Sequence, residues 1–457
     1  MITRQDLSAE QEQAFQDMLA FVSSKDRQML LKGYAGTGKS TLIKIFVEHL
    51  EKKTKNSVTC TAPTNEAVRV VAKMTGNKYH DTIYSLLGLR LEQIDDKEPV
   101  LRPHGKGKLD EYDIIFIDES SMIHSELYDM IQAQLTQHTF IKAIYVGDDA
   151  QLPPVKDPLK LSRVFMLETQ SQLVNVQRCA ADNPIIAIAT AIRMNLDSKI
   201  DQFERITNYS EETQSGVIFH DSRDEFMTLM FNAFKSEDYK NDNNFVRAIA
   251  YTNKAVDAIN LHIRREIFDN PKPDEYELGE NLIVAEPIIK SYGKYSEIQF
   301  TVGERLRVLK VSSEQDDEFG IKYWKLQILN YEADAEDQIH ETIRVINKKS
   351  MSAYYGVLAE LASEAKSKSS ETFVIKGKVK PKYSKSEAWA NYFAFKNIWS
   401  WVKYSYATTT HKSQGGTFKN VFVVERDLNR LTWDDVERNK LKYVAFTRAS
   451  HLLRILQ

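Results

Sequence analysis

Short strand-like segments alternate with longer amphipathic stretches over about the first 200 residues. The predicted strands lie at residues 29–31, 57–61, 113–117 and 141–146. Such segments predict strands buried on both faces, and the stretches between them have the 3.6-residue period of amphipathic helices. Because strands separated by helices pair in parallel through right-handed crossovers, the pattern predicts an α/β fold built on a parallel sheet.

A second α/β segment follows, and it is interrupted. Its strands are predicted at residues 216–219, 246–251, 402–408, 420–424 and 451–456, with a helix at 254–268. Between them, β-rich pieces lie at 305–311 and 321–329. We therefore predict a first domain of residues 1–87 and 112–180 with a small insertion at 88–111, and a second domain of residues 181–274 and 402–457 with a β-rich insertion at 275–401.

The balance of charge excludes one class of nucleic-acid-binding protein. Lys and Arg number 61 and Asp and Glu 64, a formal net charge of −3. This excludes a uniformly basic coat for nucleic acid, although a local basic groove remains compatible with it. Residues 314–341 contain nine acidic and two basic residues, whereas residues 366–385 contain seven Lys and one Glu. The lysine run is either a solvated loop or a positive rim for nucleic acid.

Two further features bear on the cellular compartment. The two cysteines, Cys60 and Cys179, are too few for a disulfide framework and fit a reducing compartment. The first residues lack the apolar stretch of a signal peptide, and no apolar run is long enough to span a bilayer. We expect a soluble cytoplasmic protein with no membrane partner.

A glycine-rich segment carries the strongest chemical signal. Gly33–Ser40 fits G-x-x-x-x-G-K-[ST] and lies between a predicted strand and a predicted helix. Glycines let backbone N–H groups close around phosphate oxygens, and the helix N-terminus adds partial positive charge. Lys39 is expected to reach the β- and γ-phosphates and Ser40 to bind Mg²⁺. The predicted nucleotide contacts are Gly33, Gly36, Thr37, Gly38, Lys39, Ser40 and Thr41.

Polar residues follow two more predicted strands. Asp118 and Glu119 come directly after the strand at 113–117, and carboxylates at that end of a strand lie where ligands bind in such sheets. Asp118 is expected to hold Mg²⁺, and Glu119 to orient and deprotonate the attacking water. In the segment Gly147–Pro154, the amide of Gln151 is a candidate γ-phosphate sensor. Together with the phosphate loop, these residues predict hydrolysis of a nucleoside triphosphate.

This set of motifs resembles superfamily 1 DNA helicases of the 5′→3′ type, in particular the Dda-like family and more distantly the RecD-like helicases. The resemblance covers nearly the whole chain and implies two RecA-like P-loop domains that sandwich ATP. It assigns adenine recognition to Gln11 in Leu7–Ala14, and arginine fingers to Arg178 in Leu173–Arg178 and Arg448 in Tyr443–Ala449. The implied catalytic residues are Lys39, Asp118, Glu119, Gln151, Arg178 and Arg448.

The same resemblance implies a single-strand DNA site. Ala62–Asn65 resembles motif Ia, Thr409–Gly415 resembles motif V, and Ala250–Asp257 resembles a segment of the second motor domain. Small polar residues at strand-to-helix turns suit phosphate contacts, although each also suits a helix N-cap. For His411 a structural or DNA-contacting role is favoured over that of a general base, since Glu119 fills the latter. The predicted DNA contacts are Pro63, Thr64, Asn65, Thr82, Asn253, Thr409, Thr410, His411 and Gln414.

The insertions also follow from the resemblance, with departures. In the Dda-like family the small insertion is a β-hairpin pin that separates duplex strands, and the large one is an SH3-like tower that braces it. Residues 85–111 contain no Phe, Tyr or Trp, which leaves Pro99, Val100 and Leu101 as an apolar wedge. Tyr84 and Asn65 stand where relatives have His. The aromatic residues of segment 383–401 form either the core of the large insertion, which is favoured, or a base-stacking platform.

These observations predict an ATP-dependent DNA helicase that moves 5′→3′, a polarity that rests on the resemblance alone. The expected partners are single-stranded and forked duplex DNA, with single-strand-binding or other replication proteins as further candidates. A phage origin, and so a host-cytoplasm location, is suggested only by the nearest resemblance. Two alternatives stay open: a single-strand translocase that displaces bound proteins with weak unwinding, and a nucleotide-gated DNA-binding recruitment factor. RNA also stays open as a substrate.

Overall fold

The computed structural model describes residues 3–53, 56–76, 81–92, 100–103, 105–154, 157, 159–175, 183–201, 203–268, 271, 275–292, 295–312, 314–331, 333, 338–370, 372–375, 378–381, 385–431 and 433–457. They divide into two compact units, one of residues 1–256 with 407–457 and one of residues 257–406. Within these ranges, no helix combines the length and the apolar character that crossing a bilayer requires.

The first sheet has five parallel strands in the order β2-β5-β6-β1-β7. The strands are β1 (Gln28–Gly33), β2 (Val58–Thr61), β5 (Ile114–Ile117), β6 (Lys142–Gly147) and β7 (Gln170–Leu173). Helices α1 (Ala9–Ser23), α2 (Lys39–Lys53), α3 (Asn65–Thr75), α4 (Ile83–Leu86) and α5 (Ser125–Gln137) accompany it. Met29 and Leu31 pack on one face with Phe46, whereas Leu30 packs on the other with Leu127. Burial on both faces explains why the predicted strands are so apolar.

Two short strands lie between β2 and β5 along the chain but do not pair with the first sheet. Strands β3 (Leu89–Glu92) and β4 (Val100–Pro103) pair antiparallel, with Leu89 opposite Pro103 and Glu92 opposite Val100. They lie within the small insertion predicted at 88–111. Of the apolar wedge predicted there, Pro99 and the side chains of Val100 and Leu101 lie outside the described residues.

The second sheet belongs to the same compact unit and has the order β21-β10-β22-β23-β9-β8. Its pairs are parallel except for β8 with β9. The strands are β8 (Asn208–Ser210), β9 (Ser215–His220), β10 (Val246–Ala250), β21 (Ala407–Thr409), β22 (Phe418–Val424) and β23 (Ala449–Leu456). The accompanying helices are α6 (Pro184–Met194), α7 (Arg223–Lys235), α8 (Glu237–Asn241), α12 (Glu425–Leu428) and α13 (Asp435–Phe446), whereas α9 (Asn253–Ile267) begins in this unit and continues into the other. Val421 and Leu453 of the sheet pack with Ile192 of α6 and Val444 of α13, which confirms the predicted α/β architecture.

The unit of residues 257–406 is built on an antiparallel sheet in the order β15-β16-β14-β11-β20, with β17 paired to β16. Its strands are β11 (Asn281–Val284), β12 (Ile288–Tyr292), β13 (Tyr295–Phe300), β14 (Arg305–Val311), β15 (Gln315–Asp316), β16 (Lys322–Leu329), β17 (His340–Ile346), β18 (Thr372–Ile375), β19 (Lys378–Pro381) and β20 (Val402–Tyr404). Strands β12 with β13 and β18 with β19 form separate hairpins. The SH3-like assignment of this insertion stays a prediction.

Two features of this unit differ from the expected pattern. Helices α10 (Met351–Ser370) and α11 (Lys385–Ile398) add an α-helical part to the predicted β-rich insertion. Strand β20 was expected in the second α/β domain, but it pairs with β11 and ends this unit at Tyr406 rather than at residue 401. Three residues are too short a run for the sequence to show which sheet they join, since hydrogen-bond pairing decides it.

Aromatic residues of α11 and of the segment that follows it form part of this unit's core, as favoured from the sequence. Phe395 stacks on Tyr354 at 5.8 Å between ring centres, and the Trp399 ring packs edge-on against Tyr323. Phe395 and Trp399 are buried. Phe393, by contrast, is exposed, and Tyr383 lies outside the described residues. The aromatic segment therefore stabilises the unit chiefly through its C-terminal end.

Candidate active site

Three loops that carry predicted chemistry meet at one edge of the first sheet. The phosphate loop Gly33–Ser40 follows β1, Asp118 follows β5 and Asp148 follows β6. Strand β6 lies between β1 and β5, and all three run in parallel. Because the carboxyl ends of parallel strands lie at the same edge, the segment after β6 emerges between the phosphate loop and the acid pair.

The phosphate loop has the backbone geometry that its glycines predict. Gly36 and Gly38 have φ values of 78° and 77°, in the left-handed region that favours glycine. The Lys39 ammonium donates to the carbonyl oxygens of Gly33 and Tyr34 at 2.7 and 2.9 Å. The positive charge is thereby held at the mouth of the loop, where phosphate oxygens can replace the two carbonyls as acceptors.

Gln11 fastens the phosphate loop from the side of α1. Its side-chain amide donates to the carbonyl of Thr37 at 3.0 Å, and its amide oxygen accepts the backbone N–H of Ser8 at 3.0 Å. The Gln11 side chain is buried, and the Thr37 hydroxyl donates to the Tyr34 carbonyl at 2.9 Å. Gln11 thus has a role in holding the loop, whereas its reading of adenine stays a prediction.

A cavity of about 520 Å³ runs along α2 from Ser40 to Lys52. Its lining includes Arg4, Phe15, Ser40, Thr41, Lys44 and His49. The Arg4 guanidinium lies 4.2 Å from the centre of the Phe15 ring and donates to the Glu12 carboxylate at 3.1 Å. A space of this size, with an aromatic ring, a planar cation and the start of the phosphate-loop helix, suits a small planar ligand.

The acid pair after β5 is held in an environment that favours proton uptake. Asp118 accepts the backbone N–H of Glu119 at 2.8 Å, and burial raises the pKa of Asp118. Burial and the neighbouring Asp118 charge raise the pKa of Glu119 to about 7, while the charges of Arg448 and Lys39 oppose that shift. Glu119 also has a φ of 50°, a left-handed conformation that is uncommon outside glycine and recurs at functional sites.

Arg448 lies in the turn after α13 of the second sheet, near enough to Glu119 for the two charges to interact. Its guanidinium donates to the carbonyls of Val444 at 3.1 Å and Gly416 at 3.0 Å, and the residue is buried. Burial lowers the pKa of Arg448, and the charge of Glu119 is the strongest opposing influence. The structure therefore brings this predicted finger to the first sheet's acids. The other predicted finger, Arg178, lies outside the described residues.

Two predicted site residues carry buried polar atoms that lack a hydrogen-bond partner within the described ranges. These atoms are the amide oxygen of Gln151 and the amide nitrogen of Gln414. An unsatisfied buried polar atom costs about 1–3 kcal/mol. Gln151 follows β6 at the edge where the phosphate loop lies, so a bound water can satisfy its oxygen, as expected of a sensor of the attacking nucleophile.

The sequence prediction missed a group of residues that joins the two sheets. The Tyr443 hydroxyl accepts the backbone N–H of Ala35 at 3.1 Å and donates to Asp148 at 2.5 Å. Arg193 forms ion pairs with Asp148 and Asp149. The sequence signal for this group is the acidic pair Asp148 and Asp149 directly after β6.

Three of the threonines predicted to contact DNA cap short turns or helices. Thr64 accepts the backbone N–H of Ala67 at 3.3 Å, Thr82 that of Ser85 at 3.3 Å, and Thr409 that of Lys412 at 3.3 Å. This is the N-cap use that the sequence left open. A hydroxyl that accepts from the backbone still has its own hydrogen to donate, so both uses are compatible.

The remaining predicted DNA contacts differ in exposure. Thr410 is fully buried, and both its hydroxyl and its N–H donate to the carbonyl of Ala250, so its assignment to the DNA surface is corrected. Burial lowers the pKa of His411, which favours the neutral ring. Pro63 is buried, Asn65 is partly buried and Asn253 is exposed.

The helix that begins at the end of the motif Ia segment touches the motif V segment, and both segments are predicted to contact the same strand. A Cβ atom built on Gly415 would lie 2.9 Å from the Cβ of Ala67, in the first turn of α3. Gly415 also has a φ of 79°. Glycine is therefore required here twice, for its backbone conformation and for the close approach. The contact places the turn after β21 against the turn after β2.

A phosphate loop and a strand-end acid pair on one parallel sheet, met by a buried arginine from a second, define a two-domain P-loop motor. Residues 6–212 match the family model of an AAA domain, and residues 404–456 match that of the UvrD-like helicase C-terminal domain. In this arrangement and in both matches the chain is similar to the superfamily 1 helicases.

Among its relatives within that class is the ATP-dependent DNA helicase Dda of Enterobacteria phage T4. The two are 28% identical over 473 residues, which cover 98% of this chain and 99% of the phage protein. The ATP-dependent RecD2 DNA helicase of Deinococcus radiodurans is 32% identical over 163 residues, covering 36% of this chain and 21% of that protein.

The fold also resembles that of solved helicases. The Pif1 helicase of Candida albicans superposes with a TM-score of 0.51 at 17% identity, covering 99% of this chain and 94% of that chain. The Bacteroides Pif1 helicase, crystallised with ADP-AlF3 and single-stranded DNA, gives a TM-score of 0.50 at 16% identity over 99% of this chain and 92% of that chain. At these identities the likeness concerns the fold.

Proposed function

We propose that the chain is an ATP-dependent DNA helicase that moves 5′→3′ on single-stranded DNA and unwinds duplex ahead of it. The observation that carries this proposal is that residues of the second sheet's helices reach the nucleotide site of the first sheet. Tyr443 bonds Ala35 of the phosphate loop at 3.1 Å, and the charge of Arg448 acts on Glu119. An arginine that stabilises charge on the transferring phosphoryl group makes hydrolysis depend on how the two sheets are placed. The Dda relative is an ATP-dependent DNA helicase, and its alignment with this chain covers 99% of its length.

The chemistry assigns a step to each residue at the sheet edge. Lys39 and the loop N–H groups bind the β- and γ-phosphates. Glu119, whose pKa is raised, accepts a proton as water attacks the γ-phosphate, and Arg448 stabilises the negative charge that develops. The products are ADP and inorganic phosphate. Gln151 positions the attacking water through its unpaired amide oxygen.

Mg²⁺ fits the donors at this edge. Ser40 begins α2 and Asp118 follows β5, so a hydroxyl and a carboxylate border the phosphate loop, the oxygen donors that Mg²⁺ prefers. Within the described residues no group of three His, Cys, Asp or Glu side chains could hold a metal by itself. This agrees with a cation held by one or two protein oxygens and by the nucleotide. Bound there, Mg²⁺ would neutralise phosphate charge.

The base of ATP is assigned to the cavity beside α2. Ser40 and Thr41 lie in its lining next to the phosphate loop, and the Arg4 guanidinium, which lies over the buried Phe15 ring, provides a planar surface. Gln11 lies on α1, as Phe15 does, and is bonded to Thr37 of the phosphate loop.

The DNA strand is assigned to the turns that meet at Gly415 and Ala67. Thr64 and Thr409, one from each sheet, lie in these turns and retain donor hydrogens. When two such grips change their spacing as ATP binds and leaves, a strand held by them moves in steps. The pairing of β3 with β4 supports the pin assignment, and forked DNA is the expected substrate.

The polarity of movement is tested with two duplexes of identical sequence that each carry one single-stranded tail. One carries a single-stranded tail only at its 5′ end and the other only at its 3′ end. With ATP and Mg²⁺, we expect release of the strand from the 5′-tailed duplex and little from the 3′-tailed one. The Lys39→Ala variant is the matched control, and preference for the 3′ tail would contradict the proposal.

A second candidate function is supported by one observation. Residues 85–111 contain no aromatic side chain to stack on the end of a duplex, which favours a translocase that displaces bound proteins and unwinds weakly. The two functions separate when displacement of streptavidin from a biotinylated 3′ end is compared with unwinding of a 5′-tailed duplex. Fast displacement with slow unwinding identifies the translocase.

The recruitment-factor alternative is disfavoured by the same site. A nucleotide-gated switch needs neither a base such as Glu119 nor a charge-stabilising arginine such as Arg448. Replication proteins as partners and a cytoplasmic location stay predictions from the sequence.

A further inference from the structure

The Tyr443 hydroxyl forms a link between the phosphate loop and the segment after β6. It accepts the N–H of Ala35 at 3.1 Å and donates to one oxygen of Asp148 at 2.5 Å. A phenol can accept and donate at once, so this single oxygen satisfies a loop N–H and a carboxylate together. Burial raises the pKa of Tyr443, which keeps the hydroxyl protonated as a donor.

Arg193 reinforces this link from a different helix. It pairs with Asp148 through the oxygen that Tyr443 does not use, and also with Asp149. Its guanidinium lies 3.7 Å from the ring centre of Tyr34, the loop residue before Ala35. Two successive residues of the phosphate loop are therefore held by two side chains that come from the second sheet's helices.

Both helices are firmly attached to the second sheet. Ile188 and Ile192 of α6 and Val444 of α13 pack in the same apolar cluster as Val421 and Val423 of β22. A third contact also joins α13 to the segment after β6, since the Lys440 ammonium donates to the carbonyl of Asp149 at 2.9 Å. The link consequently moves with the second sheet, whereas the residues it holds belong to the nucleotide site of the first.

A purely structural use does not account for this arrangement. The Arg193 and Asp148 side chains are buried, and removing charges from water costs free energy that hydrophobic packing would not incur. Ala35 lies in the loop whose N–H groups are expected to cradle phosphate. A group bonded to one of those N–H donors affects how the loop receives and orients the nucleotide.

We propose that Tyr443 is a positioning residue for ATP hydrolysis, which with Asp148 and Arg193 transmits the placement of the second sheet to the phosphate loop. The proposal rests on the function proposed above. It goes beyond that function because it names the residues that couple DNA binding to ATP turnover. These are the Tyr443 hydroxyl and its partners Asp148 and Arg193. Arg448 acts on the developing charge, whereas Tyr443 acts through the loop.

The test is Tyr443→Phe in the full chain, with ATP hydrolysis measured with and without a saturating single-stranded oligonucleotide. The ring and its packing are kept and only the hydroxyl is lost. We expect kcat with DNA to fall by about tenfold or more while KM for ATP changes by less than about threefold, because the lost interaction orients rather than binds. The ratio of DNA-stimulated to basal rate falls as well.

Tyr145→Phe is the matched control. Tyr145 is buried in the first sheet, and its hydroxyl bonds the side chain of Gln28 at 3.2 Å, away from the nucleotide site. It also loses one buried hydroxyl, and we expect its kcat and stimulation ratio to stay within about twofold of the parent. If Tyr443→Phe behaves like Tyr145→Phe, the positioning role is overturned.

A double-mutant cycle distinguishes transmission through Asp148 from independent effects. Asp148→Asn retains an acceptor for Tyr443 but loses the charge that pairs with Arg193. We expect the double variant to be no slower than the slower single variant, because both act on one link. Effects that multiply would overturn the proposal. If Tyr443→Phe does not fold, Asp148→Asn is compared with the parent by the same stimulation ratio, and an unchanged ratio overturns it.

Failure of the proposed function is a separate result. A parent chain that hydrolyses ATP at the same rate with and without DNA contradicts the motor assignment and, with it, this proposal. A parent chain that is stimulated by DNA and unwinds the 5′-tailed duplex, combined with a normal Tyr443→Phe variant, contradicts the positioning role alone.

Discussion

The Arg448 guanidinium, in the turn that follows α13 of the second sheet, lies close enough to the Glu119 carboxylate that follows β5 of the first for the two charges to interact. The two residues lie 329 positions apart in the sequence, and each alters the proton affinity of the other. A candidate base from the first sheet and a candidate charge-stabilising cation from the second thus lie within electrostatic reach of each other. This relationship makes turnover sensitive to any change in the spacing of the two sheets.

Lys39→Ala is expected to abolish ATP hydrolysis while most DNA binding remains. The ammonium that bonds the Gly33 and Tyr34 carbonyls is the loop's mobile positive charge, and alanine cannot replace it at the β- and γ-phosphates. Phosphate release and the fluorescence anisotropy of a labelled oligonucleotide measure the two properties. Lys53→Ala, at the exposed end of the same helix, is the control. Normal hydrolysis in Lys39→Ala would remove the phosphate-loop assignment.

Glu119→Gln is expected to bind ATP and DNA but to hydrolyse ATP about a hundredfold more slowly or worse, since an amide cannot accept the proton of the attacking water. The substitution keeps the size of the side chain. Binding of a fluorescent ATP analogue and single-turnover hydrolysis separate the two steps. Glu126→Gln, on the exposed first turn of α5, should match the parent. Unchanged turnover in Glu119→Gln would indicate that another group is the base.

Arg448→Ala is expected to lower kcat by about 10³ with a smaller change in KM for ATP, the behaviour of a group that acts mainly on the transition state. Arg448→Lys should recover little, because a single ammonium cannot keep the bonds to the Val444 and Gly416 carbonyls and also face Glu119. Steady-state kinetics at saturating DNA measure both variants. A parent-like kcat in Arg448→Ala would exclude the finger role.

Gly415→Ala is expected to lower stability by about 1–2 kcal/mol and to weaken DNA binding, because alanine disfavours a positive φ. Its methyl group would also meet Ala67 at 2.9 Å. Gly356→Ala is the control, and we expect it to change the free energy of unfolding in the opposite direction. Gly356 lies exposed within α10 with no atom close to its built Cβ, so alanine should stabilise the chain by about 0.5–1 kcal/mol. Denaturant unfolding and anisotropy measure these effects, and equal shifts in both variants would contradict the close-contact argument.

Part of the site was predictable because its chemistry is local. Gly33–Ser40 combines a turn, a phosphate-binding lysine and a helix start within eight successive residues, so the motif is visible in the sequence. The position of Asp118 directly after an apolar strand is local in the same way. The residue types at these positions satisfy conditions that the backbone imposes at the same place.

Other assignments required the folded chain. Thr409 and Thr410 are neighbours with the same side chain, yet one caps a turn while the other is buried against Ala250. Gln11 was predicted to read adenine, and its bond to Thr37 could be seen only once the loop was placed. Hydrogen-bond partners depend on distances that sequence spacing does not contain.

The amino-acid sequence by itself determined the α/β class, the phosphate loop and the acid pair after β5, because periodicity and turn chemistry act between residues close along the chain. The tertiary structure alone decided that Tyr443 bonds Ala35, 408 positions away, and that Arg193 and Arg448 reach the first sheet. Such contacts arise when separately folded layers pack, and the free energy that selects them comes from burial and pairing between groups that share no local pattern.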